Sequence, residues 1–289
     1  MFAWGTGAAE RRSETATVRQ PGMKELLFPM TYQSVVLISA GASGIGLACA
    51  RALAESGHRV LTLDIDAEAV ARFQDEFGKG SAVVCDVADA AQVEAAFHSL
   101  VDPYQRVDLL FNNAGIAGPQ QPVEDIEVAA WQSTIDTDLN SVFYLTRLVI
   151  PLMKSQRSGL ILNMSSSAGR YGCSMRSPYV AAKWAAIGLA QTWAMELGPW
   201  NIRVNALCPG SVGGERIDRV IDRDAAERGM TPDEIRKVYQ RQSSLRDFVS
   251  PEDIAAMVCF LAGPGGRMIS GQTLGIDGHT ESLANWLDP

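Results

Sequence analysis

The chain has 289 residues, with 33 acidic and 25 basic side chains and a formal net charge of −8. This acidic balance argues against nucleic acid or an anionic membrane as a partner, and a hydrophobic content of 47% excludes a disordered chain. No uncharged apolar run reaches the ~18 residues of a membrane helix, so we expect a soluble protein. Five scattered cysteines without a C-x-x-C pair argue against a disulfide framework or structural zinc and favour the cytoplasm.

Beyond a tail of small and polar residues, strand and helix patterns alternate along the chain. Residues 1–30 show no sustained period and are interpreted as a disordered tail, and residues 31–289 as one domain. In chain order we predict strand 35–38, helix 47–56, strand 60–63, helix 67–77, strand 82–85, helix 90–100, strand 107–111, a long helix 128–155, strand 160–164, a helix beginning near Tyr179, strand 203–207, a polar helical insertion 213–250 and strand 273–276.

Continuous apolar strands separated by helices are typical of a parallel sheet that is covered on both faces. The predicted fold class is therefore α/β, with a single doubly wound parallel sheet and helices on both of its faces.

A glycine-rich turn, Ser-Ala-Gly-Ala-Ser-Gly-Ile-Gly at 39–46, joins the first strand to the first helix. Glycine lets backbone amides approach a pyrophosphate, and the following helix directs its positive end at the same anion. The alternative is an ordinary tight turn. The candidate cofactor contacts in this turn are Ser39, Gly41, Ser43, Gly44, Ile45 and Gly46.

Asp64 ends the second strand, 18 residues after Gly46. A carboxylate there accepts hydrogen bonds from the adenosine ribose hydroxyls of NAD. A 2′-phosphate would meet like charge, and no Arg or Lys directly follows Asp64, so the position favours NAD over NADP. The alternative is that Asp64 caps the helix that starts at Ala67.

Tyr179 and Lys183 form the pattern Y-x-x-x-K, which places both side chains on one face of a helix. An ammonium beside a tyrosine favours the phenolate form, which can act as a general base. Read alone, the pair is an ordinary helix surface.

Further motifs follow the predicted strands: Asp86-Val87, Asn112-Asn113-Ala114-Gly115, Ser166 thirteen residues before Tyr179, and Pro209-Gly210. With the turn and the Y-x-x-x-K pair, they make residues 34–280 resemble the short-chain dehydrogenase/reductase family. The resemblance implies a Rossmann-type domain that moves hydride between a nicotinamide and a carbon bearing a hydroxyl or carbonyl.

The resemblance also implies the roles of individual residues. Tyr179 would be the acid/base, Lys183 would assist it and bind the nicotinamide ribose, and Ser166 would hold the substrate oxygen. The expected cofactor contacts beyond the turn and Asp64 are Asp86, Val87, Asn113, Ala114, Gly115, Tyr179, Lys183, Pro209, Gly210 and Val212.

Three positions depart from the family pattern. Ala40 stands where the turn usually has glycine, and Gly213-Gly214 replace a common threonine. Asp138 aligns with the family's catalytic asparagine, and we expect its carboxylate to hold a relay water beside Lys183. Replacing Asp138 by Asn should then alter the pH dependence of turnover. The alternative is that Asp138 only replaces the asparagine structurally.

The leading hypothesis is an NAD-dependent oxidoreductase acting on a secondary alcohol: a small polyol, a hydroxy acid or another anionic hydroxy compound. Arg170, Arg176 or Arg216 could bind an anionic group, and the other arginines of a helical substrate lid at 213–247 are interpreted as solvated. The alternatives are a carbonyl or 3-oxoacyl reductase working in the reductive direction, and a non-catalytic NAD-binding regulatory protein.

Two expectations concern partners and metals. The apolar stretch 184–195, with Trp184 and Trp193, suits the interface of a homo-oligomer, a dimer or tetramer. His58, His98 and His279 are too scattered for a metal site, so no metal is expected.

Overall fold

A sheet of seven parallel strands lies at the centre of the described part of the protein. The computed structural model describes residues 33–283, so the predicted tail at 1–30 lies outside the described residues. The strands are β1 Val35–Ser39, β2 Arg59–Asp64, β3 Ala82–Val84, β4 Leu109–Asn112, β5 Gly159–Met164, β6 Ile202–Pro209 and β7 Thr273–Ile276. Their order in the sheet is β3-β2-β1-β4-β5-β6-β7, and every neighbouring pair is parallel.

Helices cover both faces of the sheet. They are α1 Gly44–Glu55, α2 Ala67–Phe77, α3 Ala90–Val101, α4 Val128–Ile135, α5 Ser141–Gln156, α6 Ser177–Leu197, α7 Glu215–Arg228, α8 Pro232–Gln240 and α9 Pro251–Ala262. The predicted doubly wound parallel sheet is confirmed. No helix within residues 33–283 is long and apolar enough to cross a membrane.

Alternation along the strands divides the core into two layers. In β1, Val36 and Ile38 pack in the layer of α1, α2 and α9, whereas Val35 and Leu37 pack in the layer of α3, α5 and α6. Each fully buried aliphatic side chain of this kind stabilises the fold by about 1.5–3 kcal/mol. Because both faces of these strands are buried, their sequences are continuous apolar runs and not alternating apolar and polar residues.

The predicted long helix at 128–155 is interrupted. A wider π turn at Asp136–Asn140 separates α4 from α5. A π turn accommodates one extra residue, which changes the direction of the side chains at that point. Here it places the carboxylate of Asp138 inside the protein, where that side chain is fully buried.

The polar insertion after β6 contains α7 and α8, which share a small apolar core of Ile221, Ala225 and Ile235. We call residues 213–247 the lid. At the start of α8, Thr231 and Glu234 form a reciprocal capping box that satisfies otherwise unpaired amide groups.

Candidate active site

The glycine-rich turn is held by close backbone contacts. The Gly41 amide donates to Thr62 Oγ1 at 2.9 Å, and a Cβ on Gly41 would lie 2.4 Å from that oxygen. A Cβ on Gly46 would lie 2.3 Å from the Ala40 carbonyl oxygen. Both positions therefore require glycine for steric reasons.

The outer side of the same turn is open. Gly44 has a φ of +50°, and apart from its chain neighbours and the backbone of its own helix no heavy atom lies within 4 Å of the place where its Cβ would be. Helix α1 has no side-chain cap at Ser43 and no acidic residue in its first turn. Its first amide groups are thus directed at an anion site, and a dinucleotide pyrophosphate fits this cradle.

Ala40 occupies a strained position in the turn. Its φ of +51° is in the left-handed region, which costs a residue with a Cβ about 1–2 kcal/mol. This conformation explains why glycine is the usual residue of the family here.

Ser39 and Asn113 tie the end of β1 to the end of β4. Ser39 Oγ accepts from the amides of Asn113 and Ala114, both at 3.0 Å. Asn113 Nδ2 donates to the carbonyl oxygens of Ser39 at 3.1 Å and Ala40 at 2.9 Å. The polar groups of these two predicted cofactor residues are therefore used in positioning the turn.

Asp64 lies directly behind the turn. Its buried carboxylate accepts from the Ala42 amide at 3.1 Å through Oδ2 and from the Asp66 amide at 3.2 Å through Oδ1. The cap of α2 is Asp66, which accepts from Glu68 and Ala69, so the alternative capping role of Asp64 is wrong.

Asp86 and Val87 follow the neighbouring strand β3. Asp86 is half-buried and accepts from the Ala88 amide at 2.9 Å, and Val87 is buried.

Lys183 and Asp138 form a buried ion pair. Lys183 Nζ is 3.1 Å from Asp138 Oδ2, and the two side chains are 3% and 0% exposed. Lys183 also donates to the Met164 carbonyl at 3.3 Å, and Asp138 Oδ1 accepts from the Ile116 amide at 2.7 Å. The π turn, the loop after β4 and helix α6 are thereby joined at one point.

Gly115 packs directly against this pair. A Cβ there would lie 3.0 Å from Lys183 Nζ and 3.2 Å from Asp138 Oδ2. The predicted site residues Gly115, Asp138 and Lys183 are thus brought together.

Two cations flank the half-buried Tyr179. Lys183 Nζ is 5.4 Å from the centre of its ring, and the guanidinium carbon of Arg176 is 4.9 Å from the same centre. Tyr179 and Lys183 lie on one face of α6, as their spacing predicts.

Three consecutive serines after β5 differ in their surroundings. Ser165 is buried and donates to the Lys183 carbonyl at 2.7 Å, and Ser167 is buried and donates to the Pro209 carbonyl at 3.1 Å. Ser166 is only half-buried, and its Oγ accepts from the Ala168 amide at 3.2 Å. Its hydroxyl hydrogen is therefore available to a substrate oxygen.

The segment after β6 closes the same edge of the sheet. The Gly210 amide donates to the Ile276 carbonyl at 3.0 Å, and a Cβ on Gly210 would lie 3.1 Å from Asp277 Cα. Two hydrogen bonds flank Val212: Val249 N to Ser211 O at 2.9 Å and Gly213 N to Val249 O at 2.8 Å. The Val212 amide takes part in neither bond.

The three arginines considered for anion binding have different environments. Arg170 pairs with Asp277 at 3.3 Å, and Arg176 lies over the ring of Tyr179. Arg216 lines a cleft of about 410 Å³, whose other lining residues are Gly115, Ile116, Ala117, Arg219, Val220 and Arg223. Arg219 and Arg223 are exposed, in agreement with their interpretation as solvated, but that they line a cleft together with Arg216 was not predicted. Their spacing of three and seven residues from Arg216 was the available signal.

Two further expectations concern an interface on α6 and a metal site. Trp184 is 51% exposed, whereas Trp193 is 9% exposed and packs in the chain's own core, so only the former can serve an interface. Within residues 33–283, no group of three His, Cys, Asp or Glu side chains is arranged to hold a metal ion.

Comparison with known proteins places this geometry among relatives. A family model described as enoyl-(acyl carrier protein) reductase matches residues 39–279. A 3-oxoacyl-[acyl-carrier-protein] reductase from Thermotoga maritima is 35% identical over 248 residues, which cover 84% of this chain and 96% of that protein.

Solved structures show the same likeness. NAD⁺-bound xylitol dehydrogenase matches with a TM-score of 0.78 at 30% identity, covering 84% of this chain and 97% of the other. A variant of actinorhodin polyketide ketoreductase with NADPH matches with a TM-score of 0.80 at 29% identity, covering 88% and 98%. The chain belongs to the short-chain dehydrogenase/reductase family.

Proposed function

We propose that this oxidoreductase transfers hydride between NAD and a secondary alcohol, either a small polyol or a hydroxy acid. The observation that carries the proposal is the position of Tyr179 on α6, with Lys183 beside its ring. The half-buried Ser166 follows just after β5. Such a set can hold a hydroxyl and remove its proton while hydride leaves the same carbon.

Four side chains of the protein have separate roles in the proposed reaction. Ser166 Oγ donates a hydrogen bond to the substrate oxygen and orients it toward Tyr179. The Tyr179 phenolate oxygen accepts the hydroxyl proton during oxidation and returns a proton during reduction. Lys183 supplies positive charge beside the ring, and Asp138 holds the ammonium in place through its 3.1 Å contact. A bound nicotinamide dinucleotide supplies the carbon that takes or gives hydride.

The groups that would hold the dinucleotide follow the edge of the sheet. The first amides of α1, with Gly44 and Ile45, would hold the pyrophosphate, and Asp64 would bind the adenosine ribose. Asp86 and Val87 would contact the adenine, and Asn113, Ala114 and Gly115 would line the central part of the cofactor. Pro209, Gly210 and the amide of Val212 would contact the nicotinamide.

The preference for NAD depends on charge. The carboxylate of Asp64 lies beside the turn, and neither 39–46 nor 64–69 contains Arg or Lys. A 2′-phosphate placed there would meet this negative charge without a compensating cation in either segment. The matched structures include one with NAD⁺ and one with NADPH, so the relatives do not decide between the two cofactors.

The proposal is tested by mixing the purified protein with NAD or NADP and a panel of secondary alcohols, polyols and hydroxy acids. We expect NAD reduction, and we expect Tyr179→Phe to lower kcat by about 10²–10⁴-fold while the variant still binds NAD. Preference for NADP would contradict the role of Asp64. NAD binding without turnover of any alcohol or ketone would instead support a regulatory protein.

Reduction of a 3-oxoacyl group is the second candidate, and the likeness to the Thermotoga maritima reductase favours it. The measurement is oxidation of NADH or NADPH with an acetoacetyl thioester. A kcat/KM for the thioester well above that for every alcohol would make this the principal reaction.

We also propose a homo-oligomer in the cytoplasm. On α6, Trp184 and Met195 are 51% and 82% exposed, which an interface would cover. All five cysteines are unpaired, in keeping with a reducing compartment. Light scattering that gives a monomer mass would contradict the first statement.

A further inference from the structure

The cleft between the loop after β4 and the lid has one strongly basic wall. Gly115, Ile116 and Ala117 form one side, and Arg216, Arg219 and Arg223 of α7 form the other. Residues three and seven apart share a helix face, so the three guanidinium groups line the cleft together. A volume of about 410 Å³ lies in the range of small-molecule sites.

The positive charge of this wall is largely uncompensated. No carboxylate is among the seven lining residues. Arg219 has an exposed ion pair with Glu215 at 3.5 Å, which is worth little, and Arg223 donates at 2.6 Å to the neutral Gln120 side chain. Arg216 has no hydrogen bond or ion pair with any residue in the described range.

One wall of the cleft adjoins the residues beside Tyr179. Gly115, part of that wall, packs against the Lys183–Asp138 pair, because a Cβ there would lie 3.0 Å from Lys183 Nζ, and Lys183 Nζ is 5.4 Å from the centre of the Tyr179 ring. A substrate that extends from Tyr179 past Gly115 would meet the lid arginines.

We propose that this cleft selects substrates carrying an oxyanion, a carboxylate, sulfonate or phosphate, which Arg216 and Arg219 bind. The inference rests on the proposed function, since it names the class of alcohol oxidised. A planar guanidinium pairs with two oxygens of such a group at once. Arg170 and Arg176 are less suited, because Asp277 neutralises the first and the second covers the ring of Tyr179.

The test compares 3-hydroxybutyrate with its methyl ester, which differ in charge but carry the same hydroxyl. We expect kcat/KM for the acid to exceed that for the ester by at least about 10-fold, and Arg216→Gln/Arg219→Gln to lower the value for the acid about 10- to 100-fold. The value for the ester and the KM for NAD should stay nearly constant. Arg267→Gln, an exposed change outside the cleft, is the matched control.

A second arm does not require turnover. Binding of malonate to the NAD-saturated protein, measured by calorimetry, should weaken at least about 10-fold in the double variant and not in Arg267→Gln. Equal kcat/KM for acid and ester would overturn the inference and leave the proposed function intact. Failure of malonate to bind would also overturn it.

Two further outcomes separate the possibilities. A raised KM for NAD in the double variant, with unchanged discrimination between acid and ester, would assign these arginines to the cofactor's phosphates and overturn the inference. Malonate binding through the arginines without oxidation of any alcohol would contradict the proposed function but support the anion site.

Discussion

The nucleotide half and the lid are built differently. Around the turn, Gly41, Gly46 and Asp64 are fixed by buried contacts with backbone atoms or the Thr62 hydroxyl. The lid instead has a core of three buried residues and many exposed ion pairs, such as Arg219 with Glu215. The main sheet therefore defines the cofactor edge, whereas the substrate edge can change with little effect on the sheet.

The largest effect should follow from Asp138→Ala. This variant leaves the buried Lys183 ammonium without its counterion and should lower the free energy of unfolding by about 4 kcal/mol, measured in urea. Asp138→Asn also removes the counterion, but it should cost less, because its amide oxygen can still accept from the Ile116 amide. Equal losses in the two variants would contradict this and would assign the whole effect to the charge, which both variants remove. The expected change in the pH–rate profile of Asp138→Asn remains a prediction.

Gly46→Ala should destabilise the nucleotide half by about 3 kcal/mol, because the added methyl overlaps the Ala40 carbonyl. Gly213→Ala, at the start of the lid, has its nearest neighbour at 3.8 Å and should change stability by less than about 0.5 kcal/mol. Similar costs at both positions would contradict the comparison between the two regions.

Ile235→Ala should loosen the lid alone, with a local cost of about 2–3 kcal/mol in its small core. We expect faster tryptic cleavage within 213–247 and a higher substrate KM, with NAD affinity unchanged. Cleavage spread over the whole chain would show that lid and sheet unfold as one unit.

Ala40→Gly should stabilise the protein by about 0.5–1 kcal/mol, because glycine adopts the left-handed conformation without the Cβ penalty. The control, Ala48→Gly within α1, should destabilise it by about 1 kcal/mol. A destabilised Ala40→Gly would show that the Ala40 methyl makes compensating contacts.

The smallest expected effect is a change in how the stability of the protein depends on pH. Burial lowers the pKa of His58, opposed by the charge of Asp108. Because the unfolded chain then binds more protons near neutrality, this contribution to stability is present above about pH 6.5 and is lost as the pH falls toward the lower pKa of the folded state. His58→Gln should flatten this part of the stability curve, and an unchanged slope would contradict the assignment.

The sequence predicts the sheet well because each strand is an apolar run. The predicted bounds for β1 and β7 differ from those observed by one residue or none. β4 begins two residues later than predicted and ends one residue later, although the backbone of Asp108 still bonds to Val35 and Leu160 of the neighbouring strands.

The π turn and the basic cleft could not be predicted in the same way. Residues 136–140 continue the helical pattern of the sequence, so the sequence does not show the π turn that buries Asp138. Spacing places Arg216, Arg219 and Arg223 on one helix face, but it does not say that this face meets Gly115 across a cleft.

The pairing of β1 with a strand on each side also bears on how the chain is made. β1 pairs with β2 and β4, so the strands β3-β2-β1-β4 are all contained in the chain up to Asn112. During synthesis this part can pair before the lid has left the ribosome, because earlier segments are free to fold first. Among the strands of residues 33–283, β7 lies at the far edge, pairs only with β6 and is the last to emerge. The nascent protein can thus assemble its nucleotide cradle well before its substrate cleft exists.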